Sequence, residues 1–252
     1  HDAVGAEGGW VDGIVYEKGT DKVYSGKCSD TYTNGNKKYE GKFKSGLKEK
    51  TWTEWSETGI KLTEVNYKKG VLDGEASYFH PHGAYKEKGE YDEGRKEGTW
   101  TEWNDLGRNP KEIEYETVSE EYDKNKPKYI GTLKAGKKHD NWIYYDESGV
   151  KTKEKNYYEG KLDGKTVYYQ NGIQIKEENY KDEVLNGPYF EYFNNGNLKL
   201  SGYYKDGYKD SLWIEYNKNN QKISENLYQT EIVNYPNGRA KKIAKYLNGK
   251  KH

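Results

Sequence analysis

The sequence contains little of what an ordinary globular domain uses to build its core. It has no Met, one Cys and five Pro. Leu, Ile, Val and Phe together make up only about 15% of the chain, below the roughly 20% at which a charged chain is usually disordered. Disorder normally also requires high net charge and few aromatic residues, whereas 42 basic residues here balance 42 acidic ones and the chain has 27 Tyr and 7 Trp. Aromatic rings, each able to bury roughly 150–250 Å², must therefore build a thin core.

The sequence has no block of one charge and no long apolar run. Lys and Glu alternate along the chain, a pattern typical of a solvated surface, so nothing favours nucleic acid as a partner. No apolar stretch approaches the roughly 18 residues of a membrane span, and no signal peptide is recognisable. We therefore predict no membrane span. The missing initiator Met and the near absence of thiols favour an exported or cell-surface protein, with the cytoplasm as the alternative.

Residue patterns that carry catalysis are absent from the sequence. Cys28 has no partner for an intramolecular disulfide and no neighbouring His, so we predict a structural thiol. His80 and His82 flank Pro81, and such a pair at a turn falls short of a complete zinc site. The sequence contains no nucleophile elbow, no phosphate-binding glycine loop and no Cys-x-x-Cys. We predict that the protein is not an enzyme and binds no metal or cofactor.

A repeat of about 24 residues organises the chain. One glycine recurs at this spacing at Gly35, Gly59, Gly83 and Gly107. After an irregular stretch the register resumes at Gly149, Gly172 and Gly196. Asn-Gly is the strongest short hairpin signal, because a type I′ turn requires positive φ at both central positions. We predict such turns at Asn34-Gly35, Asn171-Gly172 and Asn195-Gly196.

A second pattern within each repeat predicts two strands. An aromatic residue is followed by a glycine, by a second glycine or polar residue and by two further aromatics, as in Tyr91, Gly94, Gly98, Trp100 and Trp103. A lone hairpin is marginally stable in water, so its stability must come from stacking on neighbouring hairpins. We therefore predict an all-β fold: an elongated repeat solenoid of stacked antiparallel β-hairpins that forms a single twisted ladder.

The repeat also indicates the domain organisation. Residues 1–19, which begin with a Gly-rich stretch, are predicted to be a flexible N-terminal segment. Residues 20–252 are predicted to be one repeat domain. Residues 108–128 interrupt the register of this domain and could form a hinge, an enlarged loop or a degenerate unit. A C-terminal cap is expected from about residue 237.

The spacing of aromatic residues and glycines resembles the MORN motif, in the variant found in the bacterial YwqK family of antitoxins. Units of that family read approximately Tyr-x-x-Gly-x-x-x-Gly-x-Trp/Tyr-x-x-Tyr-x-x-x-Gly, a pattern that residues 34–218 follow. Other residues replace one of the two glycines at Lys50, Asp140, Glu183, Ser211 and Thr230. The resemblance implies a β-hairpin solenoid with a binding or scaffolding role, and it implies no reaction or ligand.

Alternation along the second strand of each repeat separates two faces. One face is uniform and nearly free of charge, which predicts that it is packed, and it carries Trp55, Phe79, Trp103, Tyr145, Tyr169, Tyr192 and Tyr216. The other mixes Trp and Tyr with Glu, as binding hot spots do. We predict it as an exposed ligand-binding face with contacts from Trp52, Trp100, Trp142, Tyr189, Trp213, Tyr78, Tyr144 and Tyr168. In the alternative interpretation these rings complete a thin core.

These features favour a function in binding. We predict a protein-binding module of a bacterium, exported or exposed at the cell surface, that acts in adhesion or interaction. One alternative is an intracellular antitoxin or immunity-type protein that neutralises a partner. Another is cell-wall carbohydrate binding, because the Trp/Tyr hairpins are similar to cell-wall-binding repeats of Gram-positive bacteria. The expected partner is another protein, and a homo-oligomer is compatible with the sequence.

Overall fold

Antiparallel β-hairpins follow one another along the described part of the chain. The computed structural model describes residues 10–11, 14–17, 19–234, 236 and 240–251. It describes the backbone alone for residues 10–11, 232–234 and 240–243. Every regular element in these ranges is a β-strand, and successive strands pair antiparallel, as β-hairpin repeats require. The predicted all-β fold of stacked hairpins is confirmed.

The chain divides into two compact units. The first contains His1–Thr117 and Lys134–Gly136, and the second contains Val118–Leu133 and Lys137–His252. The strands of the first unit are β1 (Trp10–Val11), β2 (Ile14–Val15), β3 (Gly26–Thr31), β4 (Lys37–Lys44), β5 (Leu47–Trp55), β6 (Lys61–Lys68), β7 (Val71–Phe79), β8 (Tyr85–Asp92) and β9 (Arg95–Glu102). Residues of both units occur in β10 (Lys111–Asp123) and β11 (Lys126–Lys134). The strands of the second unit are β12 (Lys137–Tyr145), β13 (Lys151–Tyr158), β14 (Lys161–Gln170), β15 (Ile173–Lys181), β16 (Val184–Leu185), β17 (Gly187–Tyr192), β18 (Leu198–Lys205), β19 (Tyr208–Tyr216), β20 (Lys222–Asn234), β21 (Ala240–Leu247) and β22 (Lys250–Lys251).

Within a hairpin, the turn between the two strands is tight. Lys69 and Gly70, between β6 and β7, both have positive φ, of 51° and 83°. This is type I′ geometry, whose twist matches that of the flanking strands. The turn also joins successive hairpins, since Gly70 N donates to Lys48 O at 2.9 Å and Gly94 N donates to Leu72 O at 2.8 Å. Such bonds tie a hairpin to the one before it.

Between hairpins the turn is longer. Gly35 N donates to Tyr32 O at 2.9 Å, and Gly35 has a φ of 87° while Asn34 keeps a negative φ. This is a type I turn followed by a left-handed residue. Asn34 Oδ1 stabilises it by accepting a hydrogen bond from Asn36 N at 3.0 Å. The type I′ turn predicted for Asn34-Gly35 is therefore wrong.

The type I′ prediction is confirmed at another Asn-Gly pair. Asn171 and Gly172 have φ of 52° and 76°. At Asn195-Gly196 only the glycine has positive φ, so the prediction is wrong there as well. The residues that replace glycines of the repeat keep the left-handed conformation at Lys50, Asp140, Glu183 and Ser211. The backbone geometry of the repeat thus persists at these four positions but not at Thr230, whose φ is not positive.

A β-bulge near the end of the second strand brings aromatic residues together. Tyr78 pairs with Glu87 and Phe79 pairs with Tyr85, so Lys86 is an extra residue of β8. Residues two apart on a regular strand share a face, so without the bulge Tyr85 would lie on the same face as Glu87. The bulge instead places Tyr85 beside Phe79 on the opposite face. Equivalent register shifts precede Trp55, Tyr145, Tyr169, Tyr192 and Tyr216.

The irregular segment at residues 108–128 is mostly strand. It supplies β10 and the start of β11, which are neighbours in the sheet. The segment therefore contributes strands to the sheet, and its interpretation as a degenerate repeat unit stays a prediction.

The ends of the repeat domain are partly described. Val15 N donates to Gly46 O at 2.9 Å, and the Val15 side chain is buried in the core of the first unit. The flexible segment expected over residues 1–19 therefore does not extend to Val15. Residues 1–9, 12–13 and 18 of that expected segment lie outside the described residues, as do residues 237–239 at the start of the predicted cap.

One face of the hairpins forms the core. In the first unit, Trp52, Val65 and Ala76 pair with one another across β5, β6 and β7. Trp100 of β9 and Ile113 of β10 pair in the same way. All five side chains are buried. We call the face that carries these side chains the inner face, and the face that carries Phe79 the outer face. The buried residues of the first unit are Val15, Cys28, Phe43, Trp52, Val65, Ala76, Trp100, Ile113 and Tyr115.

Candidate functional site

The Trp side chains predicted as exposed contacts lie in the core. Trp52, Trp142 and Trp213 are 3% exposed, Trp100 is 0% exposed and Tyr189 is 9% exposed. All five lie on the inner faces of their hairpins. Their prediction as members of an exposed ligand-binding face is therefore wrong, and the alternative of a thin core built from rings agrees with the structure.

A glycine and a lysine contact each buried Trp. Gly89 lies across the hairpin from Trp100, where a Cβ would overlap the indole ring. Lys96 Nζ lies over the same ring, 3.9 Å from its centre, where cation and ring attract each other. The indole Nε1 donates to Glu90 O at 3.1 Å, so its polar group is satisfied. Lys96 Nζ also lies 2.5 Å from Glu87 Oε2, which holds the ammonium in place.

The same three residue types recur in the other Trp hairpins. The sets are Gly41, Lys48 and Trp52; Gly131, Lys138 and Trp142; and Gly202, Lys209 and Trp213. In each set the glycine precedes the Trp by eleven residues and the lysine precedes it by four. Burial lowers the pKa of the Lys138 ammonium. This spacing of glycine, lysine and Trp is a sequence signal for a buried Trp. The alternation of residues along a single strand does not give that signal.

Hairpins without a Trp have a different set of inner residues. Ala76 replaces the Trp, Val65 lies opposite it in place of a glycine, and Leu72 takes the position of the lysine. Thr166 is likewise preceded by Leu162 at that position. In the Ala76 hairpin a larger residue thus lies opposite the small one, whereas a glycine lies opposite each buried Trp.

Tyr78, Tyr144 and Tyr168 lie beside this core and are half-buried. The hydroxyls of Tyr78 and Tyr91 are 3.2 Å apart, and those of Tyr144 and Tyr157 are 3.4 Å apart. Burial raises the pKa of all three phenols, and that of Tyr168 to about 12. They are neutral hydrogen-bonding groups at physiological pH. The structure places these three predicted contacts at the margin of the core and away from the outer face.

A buried carboxylate lies on the inner face of the second unit. Glu178 is 7% exposed and lies opposite Thr166. Tyr180 Oη donates to Glu178 Oε2 at 2.8 Å, and Lys176 Nζ lies 2.9 Å from Oε1. Burial and this hydrogen bond raise the pKa of Tyr180 above its usual range. Both carboxylate oxygens are satisfied by neighbouring side chains, so the burial of Glu178 is explained without a ligand.

Groups that hold metals or act as nucleophiles are not assembled in the described ranges. No cluster of three or more His, Cys, Asp or Glu residues able to hold a metal occurs there. Cys28 is buried, and burial raises the pKa of its thiol, which disfavours the reactive thiolate. The rings of His80 and His82 stack with centres 5.3 Å apart. No helix among the described residues is long and apolar enough to cross a membrane.

The outer face carries a row of half-buried aromatic side chains. Its members are Trp55, Phe79, Trp103, Tyr145, Tyr169, Tyr192 and Tyr216. The prediction of this face as the packed one holds in part, because the rings are half-buried and Thr53 and Val167, two residues before Trp55 and Tyr169, are buried on the same face. Lysines partly cover it: Lys37 Nζ lies 5.4 Å from the centre of the Trp55 ring, and Lys61 Nζ lies 6.0 Å from that of Phe79.

A repeat of the first unit has a tyrosine in place of this lysine. Tyr85 stands at the position that Lys61 holds one repeat earlier. Its ring centre lies 4.8 Å from that of Phe79 and 5.2 Å from that of Trp103. Tyr85 is 43% exposed, and Leu106, in the turn after Trp103, is 68% exposed. We call Phe79, Tyr85, Trp103 and Leu106 the aromatic patch.

Comparison with known proteins does not identify a family. No family model and no curated protein matches the chain. Among solved structures, the crystal structure of TcdB2-TccC3-Cdc42 matches 93% of this chain at 11% sequence identity, with a TM-score of 0.20. The chain spans 14% of the length of the chain that it matches. At this TM-score the likeness supports no conclusion about function.

Proposed function

We propose that this chain is a non-enzymatic repeat protein that binds another protein through the outer face of its hairpins. The observation that supports this proposal is the aromatic patch, in which the exposed Tyr85 ring adjoins the half-buried rings of Phe79 and Trp103 and the following turn exposes Leu106. Tyr and Trp are enriched among the residues that dominate binding energy. Contiguous exposed apolar side chains typically mark interaction sites. The repeat pattern supports the further proposal that the chain is a bacterial protein of the MORN type.

The backbone under the aromatic patch is held in place before any partner arrives. Phe79 and Tyr85 are paired residues of adjacent strands, and Trp103 N donates to Lys86 O at 2.9 Å. Hydrogen bonds in the turn fix Leu106, whose N donates to Asn104 Oδ1 at 3.1 Å. Because rings on ordered strands lose little conformational entropy on binding, such a surface favours affinity.

The experiment is affinity capture with the full chain from an extract of the source cells, compared between wild type and Tyr85→Lys. This substitution restores the residue type of the preceding repeat, so we expect the fold to persist. Ile223→Lys is the matched control, since Ile223 is a 61% exposed apolar residue of the second unit. We expect a protein that is retained by wild type and Ile223→Lys and lost with Tyr85→Lys, and that binds the chain when both are purified. Equal capture by wild type and Tyr85→Lys would show that the aromatic patch does not bind a protein.

A further inference from the structure

We infer that Asn171 is a site of spontaneous deamidation, a modification that converts this turn residue into aspartate or isoaspartate with water as the only co-reactant. Asn171 and Gly172 form the turn between β14 and β15 of the second unit. The aromatic patch belongs to the first unit and takes no part in this reaction. The chain contains six Asn-Gly pairs, and the structure holds them in different ways that single out Asn171.

All Asn-Gly pairs share one reaction. Asparagine is chemically labile, and a following glycine leaves the attacking nitrogen unhindered because it has no Cβ. The glycine nitrogen attacks Cγ of the asparagine and loses its proton, a C–N bond closes a five-membered succinimide, and the side-chain nitrogen leaves as ammonia. Water then opens the ring. Cleavage at Cγ gives aspartate, whereas cleavage at the backbone carbonyl carbon gives isoaspartate, whose main chain runs through the side chain.

Closure of the ring requires one backbone conformation of the asparagine. Cγ reaches the glycine nitrogen when this nitrogen eclipses Cβ about the Cα–C bond, at a ψ of about −120°, which with positive φ is the first central position of a type II′ turn. A type I′ turn already has positive φ there and becomes type II′ when one peptide plane flips. Both turn types join hairpin strands through two residues, so the strands stay paired during the flip.

The Asn171-Gly172 turn starts from the conformation that makes this flip possible. The φ of Asn171 is 52° and that of Gly172 is 76°. The flip keeps φ positive at Asn171 and makes it negative at Gly172, which a glycine accepts. In the described ranges neither Asn171 O nor Gly172 N, the two polar groups of this peptide, forms a hydrogen bond. The flip therefore breaks no hydrogen bond.

The Asn171 side chain is able to approach the attacking nitrogen. Asn171 and Gly172 are exposed, and the Asn171 side chain forms no hydrogen bond with any residue that the structure describes. A Cβ added at Gly172 would meet no atom within 4 Å, so the space around the turn is open. Water can therefore reach both carbonyls of the succinimide.

The pairs at Asn34 and Asn195 are held against the reaction. Neither asparagine has positive φ, so closing the ring there requires a different turn. Asn34 Nδ2 donates to Glu57 O at 2.8 Å, and Gly35 N donates to Tyr32 O at 2.9 Å. Both hydrogen bonds must break before the nitrogen attacks. Asn195 and its glycine form the equivalent two bonds.

The pair at Asn248-Gly249 has the same turn geometry as Asn171-Gly172 but a bound side chain. The φ of Asn248 is 49°. Its Oδ1 accepts a hydrogen bond from Leu227 N at 2.7 Å, and its Nδ2 donates to Asn226 Oδ1 at 3.1 Å. The side-chain amide must leave both partners before the ring closes, so we expect a slower reaction than at Asn171.

The two remaining pairs complete the comparison. Asn186 lacks positive φ, and the glycine that follows it is a buried residue of β17 that pairs with Tyr204. Attack at this site therefore requires disruption of the strand. Asn237-Gly238 lies outside the described residues. Among the described pairs, positive φ and an unbound side chain thus coincide at Asn171.

Deamidation changes both the charge and the chain geometry of this turn. Either product adds a carboxylate to a chain whose basic and acidic residues balance. Isoaspartate also lengthens the main chain of a two-residue turn by one carbon. Strands β14 and β15 pair over several residues beyond Gln170 and Ile173, so we expect the structural change to stay local.

The test follows the purified full chain during incubation at mildly alkaline pH. Samples are digested with trypsin, and mass spectrometry with fragment ions quantifies deamidation at each Asn-Gly pair. We expect Asn171 to react at least about tenfold faster than Asn34, Asn195 or Asn248, because each of these must first break hydrogen bonds. A rate at Asn171 no higher than at these three residues would overturn the inference.

The chain unfolded in guanidinium chloride is the reference for this measurement. Unfolding removes the turns and the hydrogen bonds, so the Asn-Gly pairs should then react at similar rates. A preference for Asn171 that disappears on unfolding supports the inference. A preference of the same size in the unfolded chain shows that the neighbouring sequence causes it, and this result contradicts the inference.

Asn171→Gly is the matched variant, because Gly-Gly also forms type I′ turns and the fold should persist. Isoaspartate is measured as methyl groups accepted from protein isoaspartate methyltransferase before and after incubation. We expect a smaller gain in Asn171→Gly than in wild type. Asn248→Gly, the same substitution in the same type of turn, should gain as much as wild type. Equal gains in wild type and Asn171→Gly would show that Asn171 is not the site.

Discussion

Gly89 and Trp100 face each other across one hairpin, and the indole ring occupies the space that a side chain at position 89 would need. The ring rests against the backbone of the neighbouring strand and has Lys96 above it. This arrangement shows how a chain with few aliphatic residues buries apolar area with one layer of sheet. Its recurrence at three other Trp residues makes it a structural unit of the repeat.

Substitution of Gly89 by Ala should destabilise the protein. The added Cβ would overlap the Trp100 ring, which must then move or strain the strand, at a cost of about 1–3 kcal/mol. The measurement is the free energy of unfolding in urea, monitored by Trp fluorescence. Lys88→Ala, on the exposed position next to Gly89, is the control and should change stability by less than about 0.5 kcal/mol. Equal effects of the two substitutions would contradict the size-matching of Gly89 and Trp100.

A triple substitution should convert one kind of hairpin into the other. Trp100→Ala alone should cost about 3–5 kcal/mol, because it leaves a cavity on the inner face. Adding Gly89→Val and Lys96→Leu reproduces Val65, Leu72 and Ala76 of the preceding hairpin and should recover part of that loss. Thermal and urea unfolding of the single and triple variants compare the two. A triple variant less stable than Trp100→Ala would show that the inner-face residues are not matched as sets.

The phenols of Tyr39 and Tyr168 should make stability depend on pH in the alkaline range. Burial is the main cause that raises the pKa of each from 10.0 to about 12. Since the pKa is higher in the folded than in the unfolded protein, the stability is fully present below pH 10 and is lost as pH rises towards 12. Urea midpoints measured across this window should therefore fall.

Tyr168→Phe tests the contribution of one phenol to this pH dependence. Lysines also lose their charge in this range, so the informative quantity is the difference between wild type and the variant. The midpoint of Tyr168→Phe should decline less steeply than that of wild type. In a phenolate absorbance titration, the transition near pH 12 should be smaller in the variant than in wild type, because Tyr39 still ionises there. Identical slopes and titrations would mean that Tyr168 ionises as it does in an unfolded chain.

The double substitution Tyr85→Lys/Lys88→Glu should leave the fold intact. Both positions are exposed, and the new side chains match the Lys61–Glu64 pair, whose charged atoms lie 2.5 Å apart. We expect a change in unfolding free energy of less than about 0.5 kcal/mol. Circular dichroism and the urea midpoint measure it. A larger loss would mean that the Tyr85 ring contributes to stability through its contacts with Phe79 and Trp103.

Location in the cell remains a prediction that a protease can test. Intact cells that make the native full-length protein are treated with protease and blotted for this chain, with a cytoplasmic protein as control. Loss of the band while the control survives would support the exported or cell-surface prediction. Survival until lysis would contradict surface exposure and favour the intracellular antitoxin or immunity-type alternative.

The sequence by itself determined the hairpins and their repeat. Glycine and aromatic spacing predicted both strands and the turns between them, because strand and turn preferences act over a few residues. Alternation also grouped Trp52, Trp100 and Trp142 correctly on one face. The YwqK-like pattern of glycines and aromatics added an expectation of binding without a ligand.

Only the tertiary structure decided which face is buried. Gly89 and Trp100 are eleven residues apart and meet only when the register of the hairpin is set, and alternation along one strand does not specify that register. The bulge at Lys86 places Tyr85 beside Phe79, although simple alternation would put Tyr85 on the face of Glu87. The local pattern thus gave correct elements but placed buried Trp rings at the surface, because burial depends on which residues oppose one another across strands.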